Sequence, residues 1–166
     1  MHDKLTESDI RKMEEEIEYR KLVVRPKALE DVKEARSHGD LSENFEYYAA
    51  KQFKNKNESR IRYLERMIKT AVVISDQSKE DEVGLNNTVK VEFTEDGEVE
   101  TYRIVTTVRA DSLSGLITNE SPLGKALLGH KVGDVVHVEV RPDFGYDVKI
   151  LSIENTTDEG DEIRQF

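Results

Sequence analysis

Apolar residues recur along the N-terminal part of the chain at the spacing of a helix. Ile10, Met13, Ile17, Val24, Ala28, Val32 and Ala35 follow at steps of three and four, with Lys21 standing where one more is due. Such steps draw a single stripe along one face of a helix of roughly thirty residues. Thr6 and Asp9 make a start like a capping box, and Glu7 and Asp9 suit the positive end of the helix dipole. Pro26 falls inside the stripe, where its missing N–H and its ring predict a kink or a restart. Ser37-His38-Gly39-Asp40 then breaks the pattern, and Gly39 can take the positive φ that ends a helix.

A second stripe follows in Ala49, Phe53, Asn57, Ile61, Leu64, Ile68 and Ala71. Two amphipathic helices joined by a short loop pack as an antiparallel hairpin, a coiled coil with Asn57 in its seam to fix register. At the helical rise each arm is about 45 Å long. A hairpin of that length buries only its seam, so it is expected to project like a finger over residues 1–76, with its tip at 37–46.

The pattern changes after the second stripe. Residues 77–84 are mostly charged or polar and read as a linker. Val89, Val91 and Phe93 alternate with polar residues, Glu95-Asp96-Gly97 makes a turn, and Val99, Tyr102, Ile104 and Val105 resume the strand pattern. Ser121 to Gly129 reads as a short helix with Pro122 in its first turn. Strands are expected again at Val135–Val140 and Tyr146–Ile153. The expected fold class is therefore α+β: a helical hairpin, then a small antiparallel-sheet domain over 85–154, then an acidic tail over 155–166.

Charge refines this picture. The 166 residues carry a net charge of −10, yet residues 1–76 hold 16 basic and 16 acidic residues while 77–166 hold 9 and 19. The acidic half argues against stable binding to free duplex DNA, so any DNA association would be indirect. Within the neutral half, Tyr47 to Lys69 carries seven basic residues against Glu58 and Glu65, which is either a solvated face or a surface for a polyanion. Cysteine is absent, which removes disulfides and thiolate metal sites. No apolar run is long enough to span a bilayer and no leader pattern is evident, so a cytoplasmic monomer is expected. His2, His38, His130 and His137 are too scattered for a metal pair, and no nucleophile and base stand together.

Chemistry concentrates at the hairpin tip, where Asp40 and Glu43 stand three residues apart. One reading makes Asp40 the N-cap of the second helix and Glu43 its partner in a capping box. Another makes them ligands, since carboxylates kept ionised near a helix N-terminus suit a hard cation such as Mg²⁺. Both remain open on these residues alone.

The run His38-Gly39-Asp40-Leu41-Ser42-Glu43-Asn44-Phe45-Glu46-Tyr47-Tyr48-Ala49-Ala50, with Ala35-Arg36 and Arg25-Pro26 before it, closely resembles the tip of the bacterial Gre transcript-cleavage factors in their A-like form. Phe45 departs from it, standing where the family often has a small residue. Ser121–Gly129 and Gly133–Val136 resemble the family's FKBP-like C-terminal domain. The resemblance implies a transcription elongation factor that enters the secondary channel of RNA polymerase and stimulates the polymerase's own cleavage of backtracked RNA. It implies Asp40 and Glu43 as the catalytic pair, with Asp40 sharing a Mg²⁺ ion held by polymerase and Glu43 acting on the attacking water. Glu46, one turn on, is a weaker candidate. It further implies contacts to nascent RNA from Arg36 and Lys51, a role for Asn44 and Tyr47 in fixing the tip or touching that RNA, and docking on polymerase through Ser121, Pro122 and Leu123, which could equally just begin a helix. The isolated protein is expected to bind no metal and to cleave nothing unaided.

Other classes fit less well. A prolyl isomerase or chaperone needs an aromatic-lined pocket, and this chain has no Trp and only 7% aromatic residues. A coiled-coil scaffold would not carry a polar tip motif. An inhibitory paralogue occupying the same channel stays open.

Overall fold

A computed structural model of the chain describes residues 2–39, 44–109 and 114–165. The chain divides into two compact units, one formed mainly by Ser8–Ala71 and the other by Lys4–Glu7 together with the chain from Val72 onward.

In the first unit, one arm runs through α1 (Glu7–Tyr19), a wide turn of π-helix (Arg20–Val24) and α2 (Arg25–Arg36); the other arm is α3 (Phe45–Thr70). Pro26 neither ends nor restarts the first arm. It sits in the first turn of α2, and the backbone N–H of Arg25 reaches back to the Arg20 carbonyl, five residues away. A proline ring presses on the carbonyl four residues earlier, here that of Leu22, and cannot bond to it. The wide turn lies across that carbonyl, so the helix absorbs the proline without breaking.

The seam of the first arm follows the expected stripe, with Met13, Ala28 and Ala35 buried. The second arm follows it only in part. Asn57, Ile61 and Leu64 are buried, but Ala49 and Phe53 face solvent, Phe53 being 55% exposed. Toward the tip the seam runs instead through Tyr47, Ala50 and Lys54. Counting from Tyr47, these positions alternate strictly between steps of three and four. The expected stripe took three consecutive steps of four from Ala49 to Ile61, and each such step turns the face by about 40°. The stripe thus wandered off the seam.

Polar groups fill the middle of the seam. Arg60 meets Glu16 through two nitrogens at 2.9 and 3.3 Å, and Arg20 donates to Glu16 at 2.7 Å and to Asn57 Oδ1 at 3.0 Å. The Asn57 amide donates to the Arg20 carbonyl at 3.3 Å, tying the second arm to the wide turn. Burial pushes the Glu16 carboxyl up, but hydrogen bonds from Arg60 and Arg20 outweigh it and hold the group below its ordinary value. Arg25 grips Glu58 at 2.9 and 3.0 Å, and Lys21, the gap in the apolar stripe, pairs across the seam with Glu65 at 3.5 Å.

The second unit is built on a sheet of order β5-β4-β3-β7-β6, with β3 (Thr88–Phe93), β4 (Val99–Val105), β5 (Leu116–Thr118), β6 (Val135–Arg141) and β7 (Phe144–Glu154). All neighbours are antiparallel except β4 and β5, which run parallel. Two short strands, β1 (Lys4–Leu5) and β2 (Val72–Val73), pair parallel in the same unit, so Lys4–Glu7 belong with the sheet and not with the hairpin. Val89, Val91, Ile104, Val136, Val138, Val148 and Ile150 supply an aliphatic core closed by Leu123 and Leu127 of α4 (Pro122–Leu127). Gly124 lets α4 approach: a Cβ there would lie 2.0 Å from the Thr118 carbonyl oxygen.

Two expected boundaries shift. The end of the supposed linker is core: Val83 is buried and bonds through its backbone to Gly129 and His130. The acidic tail is a strap tied down at a few points. Asp161 takes both oxygens to Arg103 at 2.6 and 2.7 Å, Asp158 meets the buried Arg109 at 3.3 Å, and Ile163 is buried.

Candidate functional site

The described residues on either side of 40–43 form a small, well-bonded frame. Helix α2 closes at Ser37, whose N–H bonds back to Glu34, and His38 bonds back to Ala35. Gly39 follows at φ +125°, a conformation that side-chain-bearing residues avoid. The second arm begins at Asn44, whose Oδ1 accepts the Tyr47 N–H at 3.0 Å. This is a helix N-cap, and Asn is among the residue types that serve it best. The same side chain donates from Nδ2 to the Ala35 carbonyl at 2.6 Å, joining the start of one arm to the end of the other.

This cap decides one of the alternatives left open by the residues alone. The N-cap of the second arm is Asn44, four positions later than Asp40, so the capping box of Asp40 and Glu43 is not what starts the helix. Asp40 and Glu43 themselves lie outside the described residues.

Charge gathers beside the frame. His38 Nδ1 and Glu46 Oε2 lie 2.9 Å apart across the arms, and that hydrogen bond raises the His38 imidazole above its ordinary value. Glu46, in the first turn of α3, is thus engaged by a partner on the other arm. Arg36 lies over the Tyr47 ring, 5.5 Å from its centroid. A hydrogen bond from Arg36 is the chief cause that lowers the Tyr47 phenol, with the charges of Lys51 and Lys54 adding to it. Arg36, Tyr47 and Lys51 therefore share one electropositive flank, with Arg36 and Lys51 exposed and Tyr47 mostly covered. Asn44 stands apart from them in role, because its amide is occupied on both sides within the protein.

The three residues expected to dock on a partner divide in the same way. Ser121 caps α4, its hydroxyl accepting the Gly124 N–H at 3.1 Å and donating to the Thr118 carbonyl at 2.7 Å. Leu123 is buried in the core and offers no side chain to a partner. Pro122 is exposed. The first turn of a helix must turn its apolar residue inward to hold the helix down, which is why the three could not all face out.

Two details escaped the sequence reading, the clasp of His38 with Glu46 and the pair of bonds by which Asn44, already a candidate for fixing the tip, joins the two arms. The preference of Asn for N-caps, read against an aromatic-rich first turn, was the available signal for the second.

The geometry sits within known sequence relationships. The profile of the N-terminal domain of transcription elongation factors GreA and GreB matches residues 4–73, and that of their C-terminal domain matches residues 77–155. The chain is 46% identical over 153 residues to the transcription elongation factor GreA of Streptococcus gordonii, covering 92% of this chain and 95% of that one. It is 44% identical, over the same shares, to GreA of Streptococcus pneumoniae. Among solved structures, the transcription factor Gfh1 is similar at 30% identity over 92% of this chain and 97% of that one, with a TM-score of 0.46.

Proposed function

We propose a function from one premise: the chain belongs to the GreA/GreB family of transcription elongation factors. It acts on RNA polymerase as an accessory factor and is not a nuclease by itself. Its hairpin enters the secondary channel and presents Asp40 and Glu43 to the polymerase active site, where a backtracked transcript is cut and the arrested complex released. The sheet domain holds the factor at the channel rim, with Pro122 on the docking surface.

One observation carries this reading. Asn44 caps the second arm, so the two acidic residues before it are not needed to start that helix. With the N-cap position held by Asn44, a pair of carboxylates in a three-residue spacing just before it is most simply explained by chemistry at the tip.

The donor chemistry suits magnesium, a hard cation that takes carboxylate oxygens and keeps some of its shell for other partners. Bound in the polymerase, a pair of such ions supplies an activated water and steadies the leaving oxygen of the phosphodiester. Asp40 would lend a carboxylate oxygen to one such ion. Glu43 orients the attacking water and accepts its proton. Arg36 and Lys51, exposed on the positive flank, hold the phosphates of the extruded RNA 3′ end. The factor works in the cytoplasm as a monomer and does not bind free duplex DNA stably.

The test is cleavage in stalled elongation complexes supplied with the factor. Asp40→Asn is expected to lower the stimulated rate at least about 100-fold, the range of a positioned acid–base group, without changing thermal stability. If Asp40 served as a cap, Asn would replace it without loss, because the two cap equally well. An unchanged rate refutes the catalytic role.

A further inference from the structure

We propose that Asn44 is a positioning residue for cleavage: by bonding both arms at once it sets where the acidic segment 40–43 leaves one helix and enters the other. This rests on the reading above that Asp40 and Glu43 act in cleavage, and it concerns what aims them.

Two bonds carry the inference. Asn44 Oδ1 accepts the Tyr47 N–H at 3.0 Å, and Nδ2 donates to the Ala35 carbonyl at 2.6 Å. The two partners fix which end of the amide points where, since exchanging oxygen and nitrogen would set donor against donor and acceptor against acceptor. Ala35 is in the last turn of α2 and buried, and Tyr47 is in the first turn of α3 and buried. One side chain thus joins the end of the first arm to the start of the second. The neighbouring bond between His38 and Glu46 spans the arms too, but both side chains are at least half exposed, and pairs of that kind hold little.

The capping half of this work can be done by other residues, and the bridging half cannot. Ser and Asp accept the N–H of a first turn about as well as Asn. Neither carries an amide donor. A Ser hydroxyl is too short to cap its own helix and also reach the other arm, and an Asp carboxylate would set a charged oxygen against the Ala35 carbonyl. A helix that needed only a cap would be served equally by all three. Catalytic groups need to be held to about 0.5 Å, and a displacement near 1 Å can cost on the order of 100-fold in rate. A bridge at the base of the tip is therefore an aiming device.

The experiment measures stimulated cleavage in stalled elongation complexes as a function of factor concentration, for the wild-type chain, Asn44→Ser and Asn44→Asp. Each is also unfolded thermally. Both variants should keep the wild-type melting temperature to within a few degrees and reach half-maximal effect at a concentration within about two-fold of wild type. Both should show a maximal rate at least about ten-fold lower, a loss that excess factor does not restore. Wild-type maximal rates in either variant overturn the proposal. So does a rise in the half-saturating concentration at an unchanged maximal rate, which would make Asn44 a contact to RNA or polymerase. A loss confined to Asn44→Asp would reveal a charge effect, and a loss that tracks unfolding would reveal a stability effect; either also overturns it. If the wild-type chain itself stimulates no cleavage, the functional reading fails first and the positioning role falls with it.

Discussion

The hairpin and the sheet domain solve the same problem with opposite materials. In the sheet domain the core cluster closed by α4 is aliphatic, and Val89, Val91, Ile104, Val138, Val148 and Ile150 are wholly covered. In the hairpin, the middle of the seam is Glu16, Arg20, Asn57 and Arg60, bonded to one another across the arms. Aliphatic burial is strong but indifferent to direction, and it suits a body whose strands are already registered by backbone ladders. Two long helices have no such ladder and could slide past each other by a turn. A polar cluster in which every member needs one partner resists sliding, because each shifted register leaves charges uncompensated. The difference teaches that the hairpin is built for register and the sheet domain for stability.

The contrast can be broken most strongly in the sheet. Ile150→Ala should destabilise that unit by about 2–5 kcal/mol, the range for emptying a tight core, and thermal unfolding should show it. A cost well under 1 kcal/mol would mean the core is not what holds the body. Glu16→Gln, in the hairpin, should cost about 1–3 kcal/mol, because Arg20 and Arg60 both lose an ionised acceptor. Helical circular dichroism against temperature is the measurement, and an unchanged melt would remove the cluster from the account.

Acid should act on the ion pairs of the hairpin. Glu16 and Glu58 are both held below their ordinary value of 4.5, Glu58 by its hydrogen bond from Arg25. Groups depressed on folding contribute stability that is fully present above 4.5 and is lost as pH falls through their lower folded values. The hairpin should therefore keep a constant melting temperature down to about pH 5 and lose it progressively below. A melt that does not move between pH 7 and 3 contradicts the assignment.

The smallest effect is expected at Phe53. In the seam, Phe→Ala would cost about 3–5 kcal/mol; on the outer face, where it is 55% exposed, Phe53→Ser should change stability by less than about 0.5 kcal/mol. A large loss would restore the seam that the apolar stripe suggested.

Phe53 also shows how far the sequence could be read. Both arms, the strands β3, β4, β6 and β7 and the short helix α4 were legible, because Met13, Ala28, Ile61 and Leu64, or Val89 and Val91, repeat at the period of their element. The seam near the tip was not, because Tyr47 and Lys54 face inward there while the more apolar Phe53 does not; periodicity ranks residues by greasiness, and the partner arm ranks them by fit. The strap was illegible for another reason. Asp158 and Asp161 look like a solvated tail until Arg103 and Arg109 are seen beside them, and that adjacency spans some fifty residues of chain. At the candidate site the resemblance carried the acidic pair and the positive flank, whereas the bonds of Asn44 required atoms.

The wide turn before Pro26 has a consequence for how the gene can vary. A π-turn is an α-turn with one residue to spare. Within Arg20–Val24, Leu22 and Val23 project into solvent at 67% and 52% exposure, while Arg20 carries the bonds to Glu16 and Asn57. A single-codon deletion at Leu22 or Val23 would close the arm into ordinary α-helix with its side chains still in phase with the seam, but would set the Pro26 ring against an α-helical carbonyl at a cost of about 3 kcal/mol. Elsewhere in the arm the same deletion would swing the remaining residues by about 100° and empty the seam. The turn is the one described place in the first arm where the reading frame of codons and the phase of the helix can be changed independently.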